Sequence, residues 1–294
     1  MSKAILFINP EKENAKELAN EIKGELNRRN FQADSFTLKS GIEYSGTGSD
    51  YDIAFSLGGD GTVLYAARAM APLGVPIFPV NLGTLGFIAA IHAEEWIKVF
   101  ELWIQGKARL SRRLMLEARV KRGDEEVIRG SCLNDIVISS SGIAKIIRLQ
   151  VYLGIDKTGE YMSLGQYRSD GLIMATPTGS TAYSVAAGGP ILDPELEALI
   201  LNPICPFTLS HRPVVIPANE TLMVEVEENQ RSGVLLTVDG QLTEPLESRD
   251  RIYVSCSGKP AILIASDRPA FYHALRTKLS WLETPGKAMG VSHA

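Results

Sequence analysis

Hydrophobic positions along this chain follow two rhythms. In the first third, short solid apolar runs alternate with amphipathic stretches. Residues 3–8 (KAILFI) form an apolar run that Asn9-Pro10 ends. From Glu11 to Asn30, Ala15, Leu18, Ala19, Ile22 and Leu26 recur at helical spacing, with Lys and Glu opposite, which predicts an amphipathic helix. Residues 31–38 read as a second strand and 41–50 as a mobile polar loop. A buried strand follows at 52–57, then a glycine-rich turn and an apolar helix through Met70. Residues 75–80 predict another buried strand, and Trp96, Val99, Phe100, Trp103 and Ile104 mark a helix over 94–106. Strands that alternate with helices in this way predict a mostly parallel sheet covered on both faces.

The rhythm changes near Ala108. Residues 114–120 and 127–133 are strand-like and joined by a turn at Arg122-Gly123-Asp124. Runs of the same style occupy 135–139, 146–153, 171–176, 221–227, 234–238, 252–257 and 261–265. Short alternating runs punctuated by Gly, Pro, Asn and Asp predict an antiparallel, two-layer β domain. Residues 270–282 are helical in pattern again. The expected organisation is an α/β domain over 1–108, an all-β domain over 109–269, and a tail over 270–294 that packs back on the first domain.

Composition narrows the setting. Apolar residues make up 45% of the 294 positions, enough for two cores. The net charge of −4 and the lack of a basic run argue against nucleic acid as a partner. Apolar stretches fall well short of the roughly 18 residues that span a bilayer, so no membrane role is expected. Met1-Ser2-Lys3-Ala4-Ile5 runs straight into a strand rather than a signal peptide. Cys132, Cys205 and Cys256 are odd in number and widely spaced, fitting neither a disulfide framework nor a zinc site. A cytoplasmic location is the expectation.

Candidate chemistry concentrates in three places. Gly58-Gly59-Asp60-Gly61-Thr62 joins the buried strand at 52–57 to its helix. Three glycines strip side chains from the connection, so backbone N–H groups can approach a ligand, and bare amides at a helix start commonly hold phosphate. A carboxylate in such a cradle repels phosphate; it makes sense as a cation ligand or as the acceptor of a hydroxyl proton. A plain Gly/Asp turn is the alternative. The second place is residues 167–184, where a strand at 171–176 is bracketed by Asp170 and by the hydroxyl-rich Pro177 to Thr181. A carboxylate such as Asp170 suits ribose hydroxyls, although taken alone it also reads as a surface residue, and any one hydroxyl here reads as a helix cap. The third is Asn134-Asp135, either a turn or an amide–carboxylate pair suited to a sugar diol. Missing motifs exclude other classes. There is no GxxxxGK[ST], no HRD/DFG kinase set, no GxGxxG after the first strand and no Gly-x-Ser-x-Gly elbow. His92, His211, His273 and His293 lack metal-ligand spacing.

Together these segments resemble the NAD kinase family. The resemblance rests on GGDGT at 58–62, NLGTLGF at 81–87, ND at 134–135 and YRSDGLIMATPTGSTAYSVAAGGPIL at 167–192. RPVVIP at 212–217, VDGQ at 238–241 and RTKLSW at 276–281 extend it, so it covers the chain from about residue 50 onward. It implies transfer of the γ-phosphoryl of ATP to the 2′-hydroxyl of the adenosine ribose of NAD, with Mg²⁺ or another divalent ion. Asp60 matches the family's catalytic carboxylate; Gly58, Gly59, Gly61 and Thr62 would hold the donor phosphates and the metal. Magnesium would be held mainly by those phosphates, with Asp60 as the one candidate protein ligand. Asn134 and Asp135 match the pair that grips the adenosine ribose; the second position is often Glu, so Asp135 is a shorter variant. Asp170 would contact the nicotinamide side, Thr181, Ala182, Tyr183 and Ser184 would line the adenine pocket, and Arg168 stands where NAD-preferring members carry a basic residue. The resemblance further implies a homodimer or homotetramer with a shared active site. Two readings compete with it: another GGDGT kinase acting on a lipid or sugar, which leaves 167–192 unexplained, and a non-catalytic NAD(H)-binding sensor, which has no need of Asp60.

Overall fold

The alternation in the first third becomes β1 (Ser2–Ile8), α1 (Ala15–Arg28), β2 (Phe31–Thr37), β3 (Ile53–Gly58), α2 (Asp60–Met70), β4 (Ile77–Asn81), β5 (Ile91–His92), α3 (Trp96–Ile104) and β6 (Leu110–Arg113). The rest runs β7 (Leu116–Arg122), β8 (Glu125–Cys132), β9 (Asp135–Ser140), β10 (Ile147–Ile155), β11 (Glu160–Ser169), β12 (Gly171–Ala175), α4 (Tyr183–Ala186), β13 (Ala198–Ile204), β14 (Val214–Pro217), β15 (Thr221–Val226), β16 (Val234–Val238), β17 (Leu242–Leu246), β18 (Arg251–Cys256), β19 (Ala261–Ile264) and α5 (Arg268–Leu279). This is a computed structural model; it describes residues 2–279 except 40, 45, 47–49, 85, 144, 156–159 and 209. Much of the loop expected at 41–50 therefore lies outside the described residues.

The first sheet has strand order β2-β1-β3-β4-β19-β6, with β5 beside β4. Its strands alternate between two cores. Ala4, Leu6 and Ile8 of β1 pack with α1 and with Phe100 of α3, whereas Ile5 and Phe7 pack with α2 on the opposite face. Strand β3 is buried along its whole length because it lies between β1 and β4 with helices on both sides. Chain direction across the sheet reverses between β1 and β3: β1 leads through α1 outward to β2, and β3 leads through α2 the other way to β4. In open α/β sheets a crevice forms at such a reversal, outside the carboxyl ends of the strands. Here those ends are Asn9 and the Gly58–Gly59 turn.

The second half folds into two six-stranded antiparallel sheets, β11-β10-β15-β18-β7-β8 and β14-β13-β12-β9-β16-β17. Their inner faces meet in one core that includes Leu149, Val151, Leu222 and Val254 from the first and Ile136, Ile138, Leu172 and Leu236 from the second. On the outer face of the second sheet, Val137, Ile173, Ala175 and Ile200 are covered by Ala187 and Leu192 of the segment after β12. That cover lays residues 177–192 against the sheet.

Two elements depart from expectation. The strand at Ala261–Ile264, grouped with the β half on pattern, pairs instead with β4 and β6 in the first sheet. A buried run of this kind fits either sheet, and only tertiary pairing decides. The tail helix starts at Arg268, and its contacts are shared. Phe271 packs on Phe87 at 6.3 Å between ring centroids, while Arg268 and Tyr272 both donate to the Asp193 carboxylate in the second half. Residues 280–282 of the expected helix lie outside the described residues. Among the described residues no helix is long and apolar enough to cross a membrane.

Candidate functional site

Helix α2 begins at Asp60, with Gly59 as its extended N-cap (φ −116°, ψ −165°). Position 58 has to be glycine, since a Cβ there would lie 2.1 Å from Thr62 Oγ1. The Asp60 carboxylate does not hang free in the cleft. Phe87 N–H donates to its Oδ2 at 2.9 Å, and Ile88 and Ala89 N–H donate to Oδ1 at 3.2 and 2.9 Å. A carboxylate has about four acceptor positions, two per oxygen. Oδ1 is therefore filled, and Oδ2 keeps one. Phe87, the last residue of NLGTLGF, and the two residues after it supply this cradle through their backbone, and Gly86 makes room for it: a Cβ at that position would lie 2.0 Å from Asp60 Oδ1.

The Asn134-Asp135 pair lies where the chain crosses from β8 in one sheet to β9 in the other, and its backbone is fixed from two sides. Thr176 N–H donates to the Asn134 carbonyl at 2.9 Å, and the Thr176 hydroxyl donates to the Leu133 carbonyl at 2.5 Å. Gly179 sits so near that a Cβ would come within 2.1 Å of the Asn134 carbonyl oxygen. From the other side, the Asp239 carboxylate accepts backbone N–H bonds from Leu133, Asn134 and Asp135 at 3.1, 2.7 and 3.4 Å. Burial pushes the Asp135 carboxyl up to about 7, helped by the Asp239 charge and opposed by the Tyr183 amide. Burial also raises Asp239, against the pull of the Asn134 and Leu133 amides and of Arg68.

Arg68, two turns into α2, joins these two centres. Its Nη1 lies 3.2 Å from Asp239 Oδ2, with side-chain exposures of 4% and 0%, and its Nη2 donates to Gln241 Oε1 at 2.7 Å. Gln241 Nε2 in turn donates to the Gly61 carbonyl at 2.8 Å. Removing one partner of such a buried pair typically costs about 3–5 kcal/mol, because the other charge is left uncompensated. A cavity of about 340 Å³ opens beside this junction, lined by Asn9, Lys39, Tyr65, Arg68 and Gln241 among others. A larger one of about 710 Å³, bordered by Met115, Leu196 and Lys259, includes none of the candidate residues in its lining.

The predicted residues thus separate into two groups. Asp60, the surrounding glycines, Thr62, Asn134 and Asp135 gather at one junction. Thr181, Ala182, Tyr183 and Ser184 adjoin it, since the Tyr183 amide reaches Asp135 and Asn202 Nδ2 donates to the Ser184 carbonyl at 2.9 Å. Arg168 and Asp170 do not join them within one chain. Asp135 pairs with Ala175 at one end of β12 and Ser139 with Gly171 at the other, so the strand separates Asp170 from Asp135 by about 17 Å. Arg168 instead lies over the Phe207 ring at 5.0 Å. Sequence reasoning missed Arg68 and gave Asp239 and Gln241 no role; the one available signal was the VDGQ turn.

Unpartnered buried atoms gather at the same junction. Thr62 Oγ1, Asn134 Oδ1, Thr178 Oγ1 and Asn202 Oδ1 are enclosed without a hydrogen-bond partner. Buried polar atoms are rarely left so, and a polar ligand is a direct way to satisfy them. Among the described residues no group of three or more His, Cys, Asp or Glu side chains is placed to hold a metal ion. The one open acceptor position on Asp60 Oδ2 suits either a hydroxyl proton or one bond to an ion that takes its other ligands from substrate phosphates and water, and it holds one of these at a time.

Comparison with known proteins places this geometry. The models of the ATP-NAD kinase N-terminal and C-terminal domains match residues 1–108 and 133–266. NAD kinase of Treponema denticola is 42% identical over 284 residues, covering 96% of this chain and 97% of that protein. NAD kinase of Caldanaerobacter subterraneus is 42% identical over 79% of this chain and 80% of its own. Yeast NADH kinase, solved with NADH, superposes with a TM-score of 0.81 at 25% identity, covering 96% of this chain and 89% of that one. An Archaeoglobus fulgidus NAD kinase solved with ATP gives 0.71 at 25% identity over 95% and 99%. With both domain models matched in order and a relative this similar over nearly its whole length, the chain belongs to the NAD kinase family.

Proposed function

We propose that this chain transfers the γ-phosphoryl of ATP to the 2′-hydroxyl of the adenosine ribose of NAD, giving NADP and ADP, with Asp60 as the general base. The observation that carries this reading is the single open acceptor position on Asp60 Oδ2. It stands at the head of α2, and the Arg68–Asp239 pair fixes that helix to the Asn134-Asp135 segment. One face of the junction offers glycine amides to a polyphosphate; the other offers an amide and a carboxylate to a sugar diol.

A ribose hydroxyl is a weak acid, so its proton leaves as the oxygen bonds to phosphorus. Oδ2 takes that proton while the bond from the γ-phosphorus to the bridging oxygen of ADP breaks. Backbone donors from residues 87–89 hold the carboxylate still, so little reorganisation accompanies the step. Phosphoryl transfer of this kind depends mainly on positioning and charge neutralisation. Magnesium supplies part of that charge when bound. Since the one open position on Oδ2 receives the proton, the ion would take its ligands from the donor phosphates and water. Asn134 Oδ1 and the Asp135 carboxylate hold the ribose, and Thr181 to Ser184 flank the base. Asp170 stands about 17 Å along β12 from Asp135, so the two do not grip the same ribose within one chain; we assign Arg168 and Asp170 to the nucleotide of a second copy in a homodimer or homotetramer.

The test is a coupled assay for NADP with purified protein, NAD and MgATP, with inorganic polyphosphate in parallel and the Asp60→Asn variant as control. Metal-dependent NADP from the wild type, and a turnover lower by about 10²–10⁴ in the variant, supports the reading. Near-normal turnover in the variant removes Asp60 from the chemistry. A folded wild type that binds NAD without forming NADP would instead be a sensor.

A further inference from the structure

Asp239, Gly240 and Gln241 join β16 to β17 through a tight turn, with φ of 51° at Asp239 and 65° at Gly240 and the Gln241 N–H bonded to the Val238 carbonyl at 2.9 Å. Positive φ at both central positions is the hairpin geometry that Asn-Gly and Asp-Gly favour. That need explains an Asp or an Asn equally well. It does not explain why the side chain at position 239 is sealed from solvent, where an Asn would be cheaper to bury than a carboxylate.

Its contacts explain it. Oδ1 faces the amides of Asn134 and Asp135, and Oδ2 faces the amide of Leu133 and Nη1 of Arg68. Only a group that accepts on both oxygens fits, because an Asn would turn its NH₂ toward an N–H and a guanidinium. The two ends of this network belong to different halves of the reaction. Arg68 stands on the helix that begins at Asp60, and Gln241 grips the carbonyl of Gly61 in the glycine turn. Residues 133–135 form the crossover from β8 to β9 on the acceptor side. No other described ion pair links α2 to the β half.

We propose that Asp239, Arg68 and Gln241 form a coupling element, built on the buried Arg68–Asp239 pair, that sets the position of the donor loop against the acceptor segment at residues 133–135, with Asp239 a positioning residue. It rests on the function proposed above. Each substrate's own cradle belongs mostly to one half of the chain, so loosening the coupling leaves each binding step nearly intact. Alignment of the 2′-oxygen with the γ-phosphorus is what suffers, and a misplacement of about 1 Å costs on the order of 10²-fold in rate.

The test is steady-state kinetics on the purified enzyme for Asp239→Asn, Arg68→Lys, their double variant, and Gln241→Ala. Asn keeps the turn, and Lys keeps the charge but not the fork that reaches both Asp239 and Gln241. The expected result is a kcat lower by about 30–100-fold for Asp239→Asn, with the KM for NAD and for ATP each within about 3-fold. The double variant should be no worse than the poorer single by more than about 3-fold, since both break one network. Should Asp239→Asn fail to fold, Gln241→Ala decides, because Gln241 is exposed; it should lower kcat by about 3–10-fold with both KM values held. A lowered melting temperature with unchanged kcat, or a loss confined to one KM, would overturn the proposal. A wild type that forms no NADP would overturn the function and the coupling role together, whereas an active wild type whose variants keep full kcat overturns the coupling role alone.

Discussion

Gly86→Ala perturbs the proposed base without touching its charge. The glycine's φ lies outside the left-handed range, so alanine meets no backbone penalty there. What it meets is the carboxylate. The added methyl carbon would lie 2.0 Å from Asp60 Oδ1 and 2.7 Å from its Cγ, about 1.4 Å inside the 3.4 Å at which ordinary contact begins. Either the carboxylate turns away, giving up the Ile88 and Ala89 amides on Oδ1, or the 86–89 segment retreats with the same loss. Both outcomes move Oδ2 by on the order of 1 Å, which corresponds to about 10²-fold in kcat, or about 2.7 kcal/mol of barrier. NAD and ATP cradles are built from other residues, so both KM values should hold within about 3-fold. Initial rates of NADP formation at saturating substrates, with far-UV circular dichroism to confirm the fold, make the measurement. A Gly86→Ala enzyme with kcat within 2-fold of wild type would refute the claim that this cradle positions the base.

Other outcomes follow from the same geometry. Gly59→Ala is the counterpart: its methyl group would meet no protein atom within 4 Å, so the unliganded protein should keep its melting temperature while the KM for ATP rises by about 10-fold, if donor phosphate occupies that space. An unchanged KM for ATP would move the phosphates elsewhere. Asp60→Asn should lose stability as well as turnover, because its NH₂ would face the Phe87 N–H; one unsatisfied donor costs about 1–3 kcal/mol, to be read from urea denaturation. Equal stability would mean the amide cradle adapts. Asp135, raised to about 7 from an unfolded value near 3.9, binds its proton more tightly when folded. Its contribution to stability is therefore full below about pH 4 and is lost as pH rises through about 7. Ribose hydroxyls donate to the anion, so the Kd for NAD should fall between pH 6 and 8 and become flat in Asp135→Asn. Calorimetric titrations showing the same slope in both proteins would take Asp135 out of the ribose contact.

Local pattern made much of this structure legible and left its couplings hidden. Solid apolar runs marked β1, β3 and β4, and helical spacing marked α1, because each buries a face whose rhythm depends only on neighbours in sequence. Strand β13 was hidden by Asn202-Pro203 within it; Pro203 is tolerated because pairing with β14 ends at Leu201, two residues earlier. The glycine turn and the Asn134-Asp135 pair declared themselves through residue type. The cradle around Asp60 did not, since its donors are backbone amides that any sequence carries. The Arg68–Asp239 pair spans 171 positions, and nothing near either residue names the other.

The most direct test of the central claim is to follow the phosphoryl group itself. Wild-type protein is incubated with MgATP and either NAD or its adenosine 2′-deoxy analogue, and the products are resolved by phosphorus NMR. We expect a new monoester at the adenosine 2′-position from NAD and none from the analogue. A monoester formed from the analogue, or at any other hydroxyl of NAD, would contradict the assignment of the 2′-oxygen as the nucleophile that Asp60 serves.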